Sequence, residues 1–193
     1  YAPMLVLGLA AQQNLFGADG DTWDANVYLP AYVRRYPFCM TRVMVDGKEA
    51  PERVACVEKR AINDKGEKLF DDKDAPLPEW EQRQKLLFEF EADLARTEEM
   101  CKLLAQLQLL EPFTMQAVPT QGEPLQLTGM YRVSEAKLAE LDGAVLKDLV
   151  QKGVLGRIYT HLLSLENFQR LLARRPGNTK PAAAEKPSGK KVN

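Results

Sequence analysis

Two arginines, Arg34 and Arg35, stand side by side in the run Tyr28-Leu-Pro-Ala-Tyr-Val-Arg-Arg-Tyr-Pro-Phe38, among apolar and tyrosine residues. A guanidinium taken out of water needs acceptors in its plane, so a fold that buries this run must supply carboxylates, or an anionic ligand must. Neighbouring residues point different ways in a helix or a strand, and both arginines can face solvent only if the run is itself exposed. Two chemistries follow. In the structural one, at least one guanidinium is fixed by a core-facing carboxylate and locks the N-terminal half in place. In the functional one, Arg34 and Arg35 grip a carboxylate or phosphate, helped by the hydroxyls of Tyr28, Tyr32 and Tyr36. Buried arginines are mostly paired within their own protein, so the structural arrangement is expected.

The other candidates are weaker. Asp19, Asp21 and Asp24 give the DGDTWD loop the oxygen-rich look of a calcium loop, but the spacing and the closing bidentate glutamate are missing. A capped turn is expected there, and a solvated turn at Asp71-Asp-Lys-Asp74. His161 is the only histidine and lies one turn before Ser164. A Ser-His pair needs an orienting acid and an oxyanion hole, and no nucleophile-elbow motif supplies them, so His161 reads as a core-edge residue. Cys39, Cys56 and Cys101 are odd in number, far apart and in no CxxC pair. They read as reduced, buried thiols of a reducing compartment. No catalytic residue, metal site or cofactor is assigned.

The bulk composition narrows the class. With 193 residues, 45% hydrophobic and 27% charged, the chain can bury a substantial core. Its 26 basic and 27 acidic residues leave a net charge of -1, which gives no general attraction for nucleic acid or an anionic membrane. No run reaches the roughly 20 apolar residues of a spanning helix. Met4–Ala11 has no basic residue before it and reads as a buried strand rather than a signal segment.

The elements that must position these residues follow from periodicity and punctuation. Pro30 opens a short helix over Ala31–Arg35, and Tyr36, before Pro37, returns to extended geometry. Phe38–Val45 and Arg53–Ile62 read as strands, with a hairpin-like turn at Asp46-Gly47. Leu87, Phe90, Leu94, Met100, Leu103, Leu107 and Leu110 recur at helical spacing, giving one long helix or two close ones, with Thr97 a possible cap and Pro112 the stop. Phe113–Val118 and Leu125–Val133 are two further strands around a Pro119, Gly122 and Pro124 loop. Ser134 caps a helix that uses Leu138, Leu141, Leu146 and Leu149 and stops at Gly153. The last helix, Leu155–Leu172, buries Ile158, Leu162, Leu165, Phe168 and Leu172. The helix, Gly153 turn and helix over Ala144–Leu172 superficially suggest helix-turn-helix DNA binding, but the second helix carries only Arg157 and Arg170 before its end and the domain is not basic, so packing helices are expected. Residues 176–193 read as a disordered basic tail behind a single domain, 1–175. The order of elements is α+β: a mostly antiparallel sheet against a long central helix and C-terminal helices.

Five segments together resemble the SapC family: NLFGADGDTW from Asn14, YLPAYVRRYPF from Tyr28, KLFDD from Lys68, LTGMYRVSEAKLAEL from Leu127 and KGVLGRIYTHLLSLENFQRL from Lys152. The resemblance runs from about residue 5 to 173 in order and spacing. The family takes its name from a gene cluster for bacterial surface-array proteins. The resemblance implies a non-catalytic accessory or binding protein of a bacterial surface-layer or envelope-protein pathway, acting through protein or peptide contacts. It transfers no catalytic residues. An upstream segment usual in members is expected to be missing before Tyr1, and Ser134 stands where members often have aspartate. The contrary reading is a small-molecule enzyme or binder with an anionic ligand on Arg34 and Arg35. A cytoplasmic location is expected, without nucleic acid, membrane span or cofactor.

Overall fold

The computed structural model describes residues 1–17, 22–63, 65–117 and 124–175. The described residues form two compact units, the first within residues 1–3 and 25–102 and the second within residues 4–24 and from 103 onward. Both combine a two-stranded antiparallel sheet with helix, so the architecture is α+β as the order of elements indicates.

In the first unit, helix α1 is Ala31–Arg34, with Pro30 just outside it at the N-cap. Strand β1, Phe38–Val45, pairs with β2, Lys48–Val57, through the two-residue turn Asp46-Gly47. Both turn residues take positive φ, 51° and 75°, the backbone that matches the twist of a tight hairpin. The second strand was expected to start only at Arg53 and to run to Ile62. It instead begins directly after the turn, because the hairpin register carries pairing back to Lys48, and Lys59–Ala61 closes into a single 3-10 turn. Helix α2, Pro78–Gln106, whose residues up to Lys102 belong to this unit, is one continuous helix of 29 residues with proline at its first position, where the missing N–H costs nothing. Thr97 lies inside it and donates its hydroxyl to the Asp93 carbonyl at 2.7 Å rather than capping a second helix. The helix stops before Gln108, whose φ of 55° breaks it, and Pro112 belongs to the next strand. Leu87 is its most buried side chain in this unit, while Leu94 is exposed.

In the second unit, β3, Leu110–Ala117, pairs with β4, Leu125–Val133, across a bulge at Gly129, whose φ is 79°. The expected helix after Ser134 is two: α3, Glu135–Ala139, and α4, Gly143–Gln151. Likewise the last helix divides into α5, Val154–Ser164, and α6, Asn167–Ala173. Gly153, at φ 66°, ends α4 in the left-handed geometry expected of it. Leu149 and Ile158 are buried, and Leu9, Met115 and Leu171 form a core with Phe16, Phe113 and Phe168 around it.

Met4–Ala11 is not a strand. Its Leu9 N–H is taken by the Gln13 side chain at 3.0 Å, and a Cβ at Gly8 would collide with the Gln13 backbone, so the segment folds on itself instead of pairing along an edge. Only Leu9 is fully buried, and Met4 and Leu5 are exposed. The expected loop at Pro119 and Gly122, the tail from 176, and Asp19 and Asp21 lie outside the described residues.

Candidate functional site

The Tyr28–Phe38 run is an exposed edge of the first unit, not a buried one. Its three tyrosines are 74%, 67% and 63% exposed at Tyr28, Tyr32 and Tyr36. The four-residue helix has no buried residue, and its sequence Ala-Tyr-Val-Arg is too short to present an apolar stripe to pack. The apolar residues that read as core lie in a turn that returns through Tyr36 N–H to Val33 and Phe38 N–H to Arg35.

The carboxylate expected at the arginines is absent: among the described residues, no acid lies within ion-pair distance of Arg34 or Arg35. The two guanidinium groups are instead handled differently. Arg35 is half-buried with its Cζ 4.5 Å from the Tyr32 ring centre and 4.6 Å from that of Phe90, which projects from α2. Aromatic faces carry negative charge density, so this arrangement stabilises the cation without an anion. Arg34 is exposed and donates from Nη2 to the Tyr28 hydroxyl at 3.1 Å, with Cζ 5.5 Å from the same ring. Stacking occupies the flat face of a guanidinium and leaves its N–H donors for acceptors in its plane. Tyr28, Tyr32, Arg34 and Arg35 therefore come together as one aromatic and cationic surface. Tyr36 is exposed in the same run, with no ring or guanidinium partner among the described contacts.

The run then feeds a groove. Pro37 and Phe38 line a cavity of about 410 Å³, open to solvent, together with Val57, Ile62, Leu69 and Arg83. Trp80 supports this wall, with its ring 5.6 Å from those of both Phe38 and Phe70. Arg83 donates to Glu67 at 2.9 Å and stands 5.7 Å from the Phe38 ring. The groove is thus mostly apolar, with Asn63 and the Arg83–Glu67 ion pair also in its lining. Sequence reasoning missed it, because Phe38, Ile62 and Leu69 are brought together only by the hairpin and α2. The Lys68–Asp72 segment, whose Phe70 meets Trp80, was the available signal.

The remaining candidates are structural. Asp24 forms an ion pair with Arg174 at 2.8 Å, and that guanidinium also sits 4.5 Å from the Phe16 ring, so Asp24 is committed within the second unit. Asp71 accepts from the N–H groups of Lys73 and Ala75, both at 2.8 Å, which makes the expected turn. His161 accepts at Nε2 from the Val133 N–H at 3.4 Å, and burial pushes its pKa below the ordinary histidine value. Ser164 donates to the His161 carbonyl at 2.6 Å, not to its ring, so the two form no nucleophile and base. Ser134 holds the N-cap position but its hydroxyl makes no cap. It joins Arg132 in hydrogen-bonding Glu111, whose pKa is lowered first by the Arg132 bond and then by that of Ser134. The cysteines are not all buried: Cys101 is, and burial pushes its thiol pKa up, whereas Cys39 and Cys56 are half-exposed and stand opposite one another across β1 and β2.

Among the described residues no cluster of three or more His, Cys, Asp or Glu could hold a metal, and no helix is long and apolar enough to cross a membrane. The SapC family model matches residues 1–171. Nothing among curated proteins or solved structures matches the chain.

Proposed function

Because the chain belongs to the SapC family, we propose that it is a binding protein that engages a polypeptide partner through the Tyr28, Tyr32, Arg34 and Arg35 surface, as an accessory component of a bacterial surface-layer or envelope-protein pathway. One observation carries this reading: three exposed tyrosines flank two arginines that have no acid partner among the described residues. Tyrosine and arginine are the residues enriched where protein interfaces gain most of their energy, since each joins a wide flat apolar face to a hydrogen-bonding edge. A peptide suits this surface better than a small molecule. The tyrosines are spread along an open edge, and a small anion would be left largely in water. An acidic side chain or terminal carboxylate in the peptide would meet Arg34 in plane while its neighbours lie on the rings.

The reading is tested by screening an array of extended peptides, with and without acidic residues, against the parent protein and the Tyr28→Ala and Arg34→Ala variants. Peptides retained by the parent and lost by both variants are the expected result. If no peptide distinguishes the parent from the variants, the reading fails. The alternative, a small anionic ligand, is favoured by the same unpaired guanidinium groups. Inorganic phosphate or citrate that raises the Tm of the parent but not of Arg34→Ala would establish it instead.

A further inference from the structure

Cys39 and Cys56 are separated by a whole hairpin in sequence, yet the register of β1 and β2 makes them direct partners. Directly opposed residues in an antiparallel pair project from the same face. The face is also identified. Phe38 meets Trp80 and Arg53 pairs with Glu91, so that set of positions turns toward α2. Cys39 and Cys56 belong to the alternate set, away from that helix, and both are half-exposed.

The spacing suits a bond between them. The Glu58 N–H donates to the Pro37 carbonyl at 2.9 Å, which makes that pair a hydrogen-bonded one. Moving two residues along each strand reaches Cys39 and Cys56, so they too are a hydrogen-bonded pair, with Cα atoms about 5.5 Å apart. Disulfides span Cα separations of about 4.4–6.8 Å. Side chains in such a pair start somewhat farther apart than a relaxed disulfide requires. Closure draws the strands together locally, which keeps the bond exchangeable rather than inert.

We propose that Cys39 and Cys56 form a thiol–disulfide exchange site, closing into a cross-strand disulfide with a small-molecule disulfide such as oxidised glutathione as oxidant. The thiolate of one cysteine attacks a sulfur of the small disulfide, forming a mixed disulfide and expelling one small thiolate. The second cysteine then attacks the protein-side sulfur, forming the cross-strand bond and expelling the other. Two protein thiols become one disulfide, one small disulfide becomes two thiols, and the two protons end on the small thiols. The adjoining pair, Phe38 and Val57, lines the groove on the opposite face of the same ribbon, so oxidation stiffens the strands that form its wall.

The test equilibrates the full chain in a series of oxidised and reduced glutathione buffers, quenches with acid, alkylates free thiols and maps peptides by mass spectrometry without reduction. The expected result is concerted loss of the Cys39 and Cys56 thiols, a peptide linking the two within one chain, and Cys101 left to alkylate after unfolding. Cys39→Ser and Cys56→Ser should each halt at a mixed disulfide with glutathione on the remaining cysteine. The proposal is overturned if the parent also halts at mixed disulfides, if both thiols stay free across the buffers, or if the links join separate chains.

Discussion

The adjacent arginines should separate cleanly on mutation. Arg35 is half-buried between Tyr32 of the short helix and Phe90 of α2, at 4.5 and 4.6 Å from the two rings. A cation over an aromatic face contributes about 0.5–1 kcal/mol when exposed and about 2 kcal/mol when desolvated. Two faces on a half-buried group place Arg35→Ala at about 1–2 kcal/mol of lost stability. Arg34 meets only the ring and hydroxyl of the exposed Tyr28, and exposed contacts of this kind leave Arg34→Ala within about 0.5 kcal/mol of the parent. Urea denaturation of the parent, both single variants and Arg35→Lys measures the difference. Lysine keeps the charge but not the flat stacking group, so it should recover only part of the loss. A cycle with Phe90→Leu isolates the stack, with an expected coupling of at least about 0.5 kcal/mol. Equal losses at Arg34 and Arg35, or full recovery by lysine, would mean that an anion and not the rings holds Arg35.

Further outcomes follow from single contacts. His161 is held neutral by burial, below its ordinary value of 6.5, so between the folded and ordinary values the unfolded chain binds a proton that the folded chain does not. Stability is therefore complete above about pH 6.5 and declines as pH falls through the folded value, and His161→Gln should flatten that part of a urea midpoint-against-pH curve. Glu111 is shifted the same way from 4.5 by Arg132 and Ser134, so its contribution is present above about pH 4.5 and is lost in more acid solution; Ser134→Ala should move that loss to higher pH. Arg174→Ala removes the Asp24 pair and the Phe16 stack, and partial exposure of both charges limits the loss to about 1 kcal/mol, read as faster amide exchange at Leu15 and Asp24. Leu149→Ala empties a fully buried site in the second unit and should cost about 2–5 kcal/mol in the same denaturation assay.

Local grammar was the legible part of the fold. Phe38–Val45, the Asp46-Gly47 turn, Leu125–Val133 and the Gly153 stop all depend on residues within a few positions, and the structure has them where propensity puts them. Helix breaks were less legible. Leu138 through Leu149, and Leu155 through Leu172, keep helical spacing across breaks that the chain makes near Asp142 and Glu166, and hydrophobic period cannot see a change of axis that preserves the phase. Met4–Ala11 failed for another reason. An apolar run satisfies a strand pattern, but a strand needs a partner edge, and Gln13 and the Gly8 approach close the segment onto itself first.

The arginine run shows where composition misleads about a site. Tyrosine, proline and valine around Arg34 and Arg35 suggested burial, and burial demanded a carboxylate of the protein or an anionic ligand. Tyrosine also tolerates water at its hydroxyl and offers a cation a face, so a tyrosine-rich run can stabilise arginine while remaining exposed. The premise of burial fails at 74%, 67% and 63% exposure of the three tyrosines, and the demand for an internal acid fails with it. The same correction separates the two arginines by role. Arg35, stacked against a residue from α2, ties the short helix to the unit's scaffold; Arg34 has only an exposed tyrosine beside it and keeps donors for a partner. A variant that removes Arg34 can therefore test binding in a protein whose fold is intact, which a lock built on a buried, carboxylate-paired arginine would not have allowed.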